Sequence, residues 1–296
     1  MVTQHFDHRL LRDHAFGIVA PTAVAELPPG IVVTPLVPPD LAASAHWMPG
    51  LIDVRALAQD RADALLNSLQ QAHLSGEPPS VQLLLATEAG VDEITRHWNA
   101  RQLVAPQPGT KSWLRLHDPR VLHQLLRMLA PAHRSALFGP VSTMTYWVAG
   151  TWMHASALQA PTRPLQSQPQ PDSLPAPQAP AHWDWDRISH IGIINRALQA
   201  AGVDGAQLHS EGAVVEQLIA RARQRHALID MRDLVEFATR GLTAGPAFDT
   251  HPQVAAAIRP EGPDDESDLA DRLALLDDDV WHELRLQTSA SVPPIP

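Results

Sequence analysis

Residues 111–147 read KSWLRLHDPRVLHQLLRMLAPAHRSALFGPVSTMTYW, and their local signals decide the fold of the first half of the chain. Trp113, Leu114, Arg115 and Leu116 make a short strand-like run that stops at His117-Asp118-Pro119. Asp118 suits a helix N-cap, because its carboxylate accepts from backbone N–H groups left free in the first turn. Pro119 fits the first helical position, where its missing N–H costs nothing. Leu122, Leu125, Leu126 and Leu129 recur at i, i+3, i+4 and i+7, which predicts one apolar helical face. Pro131 opens a second short helix, and Phe138-Gly139-Pro140 closes it. Residues 144–148 and 151–154 then read as strands around Ala149-Gly150.

Upstream, residues 16–20 and 31–37 suit short strands, with Pro28-Pro29-Gly30 as the turn between them. Residues 55–72 read as a helix with Ala58, Ala62, Leu65 and Leu69 on one face, broken by Gly76-Glu77-Pro78-Pro79. Residues 81–86 are continuously apolar, the pattern of a strand buried on both faces. Val91, Ile94 and Trp98 mark a further helix. Helices alternating with buried strands predict an α/β (α+β) lobe over 1–156, with a central sheet flanked by helices. Residues 157–182 hold seven prolines among Gln, Ser and Ala, a composition that reads as a linker. An all-α lobe is expected over 183–296. One helix carries Trp185, Ile188, Ile191, Ile194 and Leu198, with Gly192 placed for close packing. A second carries Val215, Leu218 and Ile219, and a third Leu234 and Phe237. A last one runs through Leu269, Leu273, Leu276, Val280 and Leu284.

Composition narrows the function classes. The chain has 296 residues, 45% hydrophobic and 18% charged, as expected of a globular protein. A formal charge of -10 argues against a general nucleic-acid binder. There is no cysteine, hence no disulfide, thiolate catalysis or cysteine zinc site. Prolines interrupt every apolar run short of a membrane helix, and the charged start lacks a secretory apolar core. A cytoplasmic protein with no membrane partner is expected.

Sixteen histidines invite a metal reading that their spacing does not support. His5, Asp7 and His8 lie near the start of the chain, and His182, Asp184 and Asp186 look like an Asp-capped helix start. Arg115, His117, Asp118 and Arg120 form the one candidate acid–base cluster, but Asp118 is needed as the cap. No nucleophile elbow, phosphate-binding glycine loop or dinucleotide fingerprint occurs. No catalytic residue, cofactor or metal site is therefore predicted. The alternative is a hydrolase-like enzyme using His117 and Asp118, which would need them to face an open pocket. The acidic run over 261–279 reads as a solvated face, or as a contact for a basic partner.

The pattern Trp113, Arg115, Asp118-Pro119-Arg120, Leu122, then Phe138-Gly139-Pro140 resembles the signature of the adaptor (effector-chaperone) family of bacterial type VI secretion systems. A second stretch, with Gly245, Phe248, Asp249, Pro252, Arg272, Leu273 and Trp281, is similar to the helical C-terminal part of those adaptors. The resemblance implies a non-enzymatic chaperone with two protein partners. It would bind an effector toxin and help load it onto the VgrG spike. It also implies that exposed apolar patches, with the eight tryptophans as candidate anchors, do the work.

Overall fold

The computed structural model describes residues 2–4, 9–107, 109–157, 183–259 and 267–290. The chain divides into two compact units, Met1–Ile188 and Ser189–Pro296. The expected linker over 157–182 lies, apart from Ala157, outside the described residues. Among the described residues no helix is long and apolar enough to cross a membrane.

The first unit is built on one antiparallel sheet. In chain order its elements are β1 (Val2–Gln4), β2 (Phe16–Val19), β3 (Thr34–Pro35), β4 (Gly50–Asp53), α1 (Gln59–Ser75), β5 (Val81–Ala86) and α2 (Val91–Gln102). Then come β6 (Leu103–Val104), β7 (Ser112–Trp113), α3 (Pro119–Met128), α4 (Pro131–Phe138), β8 (Thr143–Val148) and β9 (Thr151–Ser156). Seven strands order as β1-β9-β8-β5-β2-β4-β3, while β6 and β7 form a separate two-stranded ribbon. In β5, the expected doubly buried strand, Leu83, Leu84 and Leu85 are all 0% exposed. It pairs with β2 on one side and β8 on the other.

Both faces of the sheet are covered, and adjacent residues of β8 show how. Trp147 joins Trp152, Leu84, Leu65 and Leu69 in the core beneath α1. Tyr146, pointing the other way by strand alternation, meets His123 of α3 at 3.1 Å. Leu122, Leu125 and Leu126 are at most 1% exposed, so the predicted apolar face is buried. Each such leucine contributes about 1.5–3 kcal/mol of transfer free energy.

Two expectations for this unit change. The segment 113–116 is not a strand of the central sheet. Only Ser112 and Trp113 pair, and with Val104 and Leu103. After them the backbone turns, Leu116 N–H bonding to Leu114 C=O at 2.8 Å and Asp118 N–H to Arg115 C=O at 3.0 Å. Leu114 and Leu116 are still buried, so the apolar pattern reports burial rather than extension. Residues 31–37 likewise pair only over Thr34–Pro35, at the sheet edge, where a proline without an N–H is tolerated.

The second unit is helical: after α5 (Trp185–Ser189), which bridges the boundary, come α6 (Ile191–Ala200), α7 (Leu208–His226), α8 (Met231–Ala244), α9 (Pro252–Ile258), α10 (Leu269–Ala274) and α11 (Asp278–Ala290). Two helices expected to be continuous are each divided, at His190 and over 275–277. Gly192 does not serve close packing, since a Cβ there would meet nothing within 4 Å. The close approach is at Gly241, where a Cβ would lie 2.5 Å from Leu218 Cδ2 as α8 crosses α7.

Candidate interaction surfaces and the signature residues

The signature of the first unit is a set of braces between α3, α4 and the sheet. Asp118 Oδ1 accepts from the Arg120 backbone N–H at 3.0 Å, the N-cap bond, and Pro119 follows at the first helical position. The Arg120 guanidinium folds back onto the same carboxylate, Nε on Oδ1 at 3.0 Å and Nη2 on Oδ2 at 2.9 Å. Burial pushes the Asp118 carboxyl up, but the hydrogen bonds and charge of Arg120 outweigh it and hold the group below its ordinary value. Arg115 is exposed.

Trp113 is half-buried. Its indole N–H donates to Gln102 Oε1 at 3.3 Å, and its ring stacks on His117 with centroids 5.6 Å apart. Gln102 in turn donates to Leu36 C=O at 3.1 Å. This fully buried amide holds the β6–β7 ribbon against the edge of the unit, and nothing in its local sequence marked it. Burial pushes His117 down to about 4, so the imidazole is neutral at pH 7. Its Nδ1 is buried without a hydrogen-bond partner among the described residues.

His117 and Asp118 line a groove of about 520 Å³ together with Arg120, Gln82, Trp147 and Gly150. Yet both Asp118 oxygens are engaged by Arg120. Among the described residues, the two side chains form no hydrogen-bonded acid–base pair.

Phe138-Gly139-Pro140 has a reason for each residue. Phe138 is 1% exposed, in the core. Pro140 C=O accepts from Thr87 Oγ1 at 2.7 Å, tying the helix end to the end of β5. Gly139 sits at φ 55°, ψ -118°, and a Cβ there would lie 2.2 Å from Cε1 of His97. His97, half-buried and lowered in pKa by desolvation, is anchored by Nε2 on Leu137 C=O at 3.0 Å. A side chain at 139 thus meets both a backbone that disfavours it and an imidazole that would have to give up its present position.

The second stretch of signature residues gathers within the helical unit. Gly245, at φ 102°, ends α8. Phe248 packs on Phe237 with centroids 4.8 Å apart. Asp249 is buried, 3.0 Å from His226 Nε2 and 3.4 Å from Arg221 Nη2, which also reaches Pro246 C=O. Pro252 opens α9. Arg272 clamps its other end, donating to Ala257 C=O at 3.0 Å, to Ile258 C=O at 3.4 Å and to Ser267 C=O. Trp281, 6% exposed, lies under the Arg240 guanidinium at 4.7 Å. These residues are fold-holding contacts, with Asp249–His226–Arg221 the polar knot of the unit.

Of the eight tryptophans, Trp98, Trp147, Trp152, Trp183 and Trp281 are buried and Trp113 and Trp185 half-buried. Trp47 is 59% exposed, and in the same unit Val32 is 77% and Leu74 70% exposed. Asp184 accepts from Arg187 N–H at 3.1 Å, the helix-start role. Among the described residues there is no group of three or more His, Asp or Glu placed to hold a metal ion. His5, Asp7, His8 and His182 lie outside the described residues, as do 261–266 of the acidic run. Asp278 and Asp279 occupy the first turn of α11, where the helix dipole favours them.

An antiparallel sheet sandwiched by helices, followed by a helical unit, is the class of architecture. The family model of a domain of unknown function, DUF4123, matches residues 28–136, from before β3 into α4. No curated protein and no solved structure matches the chain.

Proposed function

We infer that the protein is a non-enzymatic adaptor of a type VI secretion system, which holds an effector toxin in the cytoplasm and helps load it onto the VgrG spike. The observation that carries this is the DUF4123 match over residues 28–136, which includes Asp118-Pro119-Arg120 and ends just before Phe138-Gly139-Pro140. The groove beside His117 supports no better reading, because its carboxylate is committed to Arg120 and burial makes its imidazole a weak base at neutral pH.

The spike is the partner common to such adaptors, so its contact belongs to the matched unit. Trp47 is the anchor there, a large exposed aromatic of the type that dominates interface energies. The helical unit takes the effector. Pull-downs with full-length protein test the assignment. Trp47→Ala should release VgrG and keep the effector, with the melting temperature unchanged. Retention of VgrG by that variant would move the spike contact elsewhere.

A further inference from the structure

The turn between α7 and α8 carries a surface that neither the signature nor the fold requires. Ile229 is 85% exposed and Met231 49% exposed. The turn lies against α6, where Arg196 Nη1 donates to Met231 Sδ at 2.8 Å and Arg223 Nη1 to His190 Nε2 at 3.0 Å. Arg225 and Arg232 are exposed on the same turn and the helix ends beside it. Carboxylates stand among these cations, Asp233 of the first turn of α8 being taken up by the Leu269 N–H at 3.0 Å. Asp230 is committed to capping α8, accepting from Arg232 N–H at 2.7 Å and Asp233 N–H at 3.4 Å, and Asp268 stands 3.9 Å from Arg232. Four arginines thus lie on this turn, on the helix ends beside it or, as Arg196, against Met231, in a chain whose formal charge is -10.

Exposed apolar groups beside an excess of positive over negative charge have the make-up of a docking site, and complementarity makes the partner acidic. The exposed apolar groups carry no aromatic ring, so they offer no stacking platform for bases. A protein segment fits better than a nucleic acid. We propose that the α7–α8 turn docks an acidic segment with an apolar anchor, which in the adaptor reading belongs to the effector. Ile229 and Met231 receive the anchor, and Arg196, Arg223, Arg225 and Arg232 receive the flanking carboxylates. The proposal deepens the adaptor reading by giving the chemistry of its cargo contact, and for the identity of the cargo it rests on that reading.

Fluorescence anisotropy with the full-length protein tests it. The probes are a labelled short peptide with glutamates flanking leucines at helical spacing, its lysine-for-glutamate counterpart, and a single-stranded DNA of similar length. The glutamate peptide should bind at least about tenfold tighter than the lysine peptide, and should weaken as salt rises. Ile229→Ser and Arg225→Glu should each weaken it by about tenfold with no change in melting temperature, since both side chains are exposed. Equal binding of the two peptides, tighter binding of the DNA, or binding unchanged in both variants would overturn the proposal. Co-purification with the effector and VgrG separates this failure from that of the adaptor reading. If the Ile229→Ser/Arg225→Glu double variant still holds the effector, the docking site is wrong and the adaptor reading stands. A wild-type chain that binds the glutamate peptide but neither protein overturns the adaptor reading alone.

Discussion

Asp118 holds the start of α3 through one carboxylate, which takes both the Arg120 backbone N–H and its guanidinium. Asp118→Ala removes the cap of α3 and leaves the Arg120 guanidinium without its carboxylate. Chemical denaturation should show a loss of about 0.5–2 kcal/mol, with partner binding falling only as folded protein falls. A variant that keeps wild-type stability yet loses a hydrolytic turnover would contradict the structural role. His117 supplies a pH dependence. Its folded value of about 4 lies below its ordinary 6.5, so between these the unfolded chain binds the proton more readily. The contribution is fully present above about pH 6.5 and is lost as pH falls toward about 4. His14 and His97, also lowered by burial, act in the same direction. His117→Phe keeps a ring on Trp113 and removes the titration. Its melting temperature should therefore fall less steeply than wild type from pH 6.5 to 4, and parallel curves would refute the assignment.

At the scale of elements, the β8–β9 hairpin holds a local conflict that can be relieved. Its two-residue turn, Ala149-Gly150, places both residues at positive φ, 45° and 80°. Such turns favour Asn-Gly, and alanine resists the left-handed region. Ala149→Asn should raise stability by about 0.5–1 kcal/mol in a thermal melt, and a loss of stability would mean that the turn needs the small side chain. Elements with chemical punctuation were legible in the sequence: α3 from Asp118-Pro119, α4 between Pro131 and Gly139, β5 from its unbroken apolar run. The strand expected at 113–116 was not, because Leu114 and Leu116 enter the core from a turning backbone and give the same apolar pattern as a strand. The breaks at His190 and over 275–277 are hidden in the sequence for a related reason: apolar residues on both sides of each break are buried, Ile188 with Ile191 and Leu273 with Val280. The reasons for Gly139 and Trp113 lie with His97 and Gln102, contacts made by folding that no local spacing announces.

For the whole molecule, the two units contain one signature stretch each, and both stretches are mostly committed to holding their unit together. Exposed side chains outside the signatures, among them Trp47 in the first unit and the α7–α8 turn in the second, are the surfaces proposed for the partners. Binding by such surfaces should be separable from stability, because exposed substitutions of this kind usually change folding by within about 0.5 kcal/mol. The central claim is that this one chain engages both an effector and a spike. The most direct measurement is the mass of the complex formed when full-length protein is mixed with its effector and with VgrG, read by light scattering after size exclusion. The adaptor account predicts a species containing all three proteins, or two binary complexes that both include this chain. A folded chain that elutes alone in every mixture would contradict it.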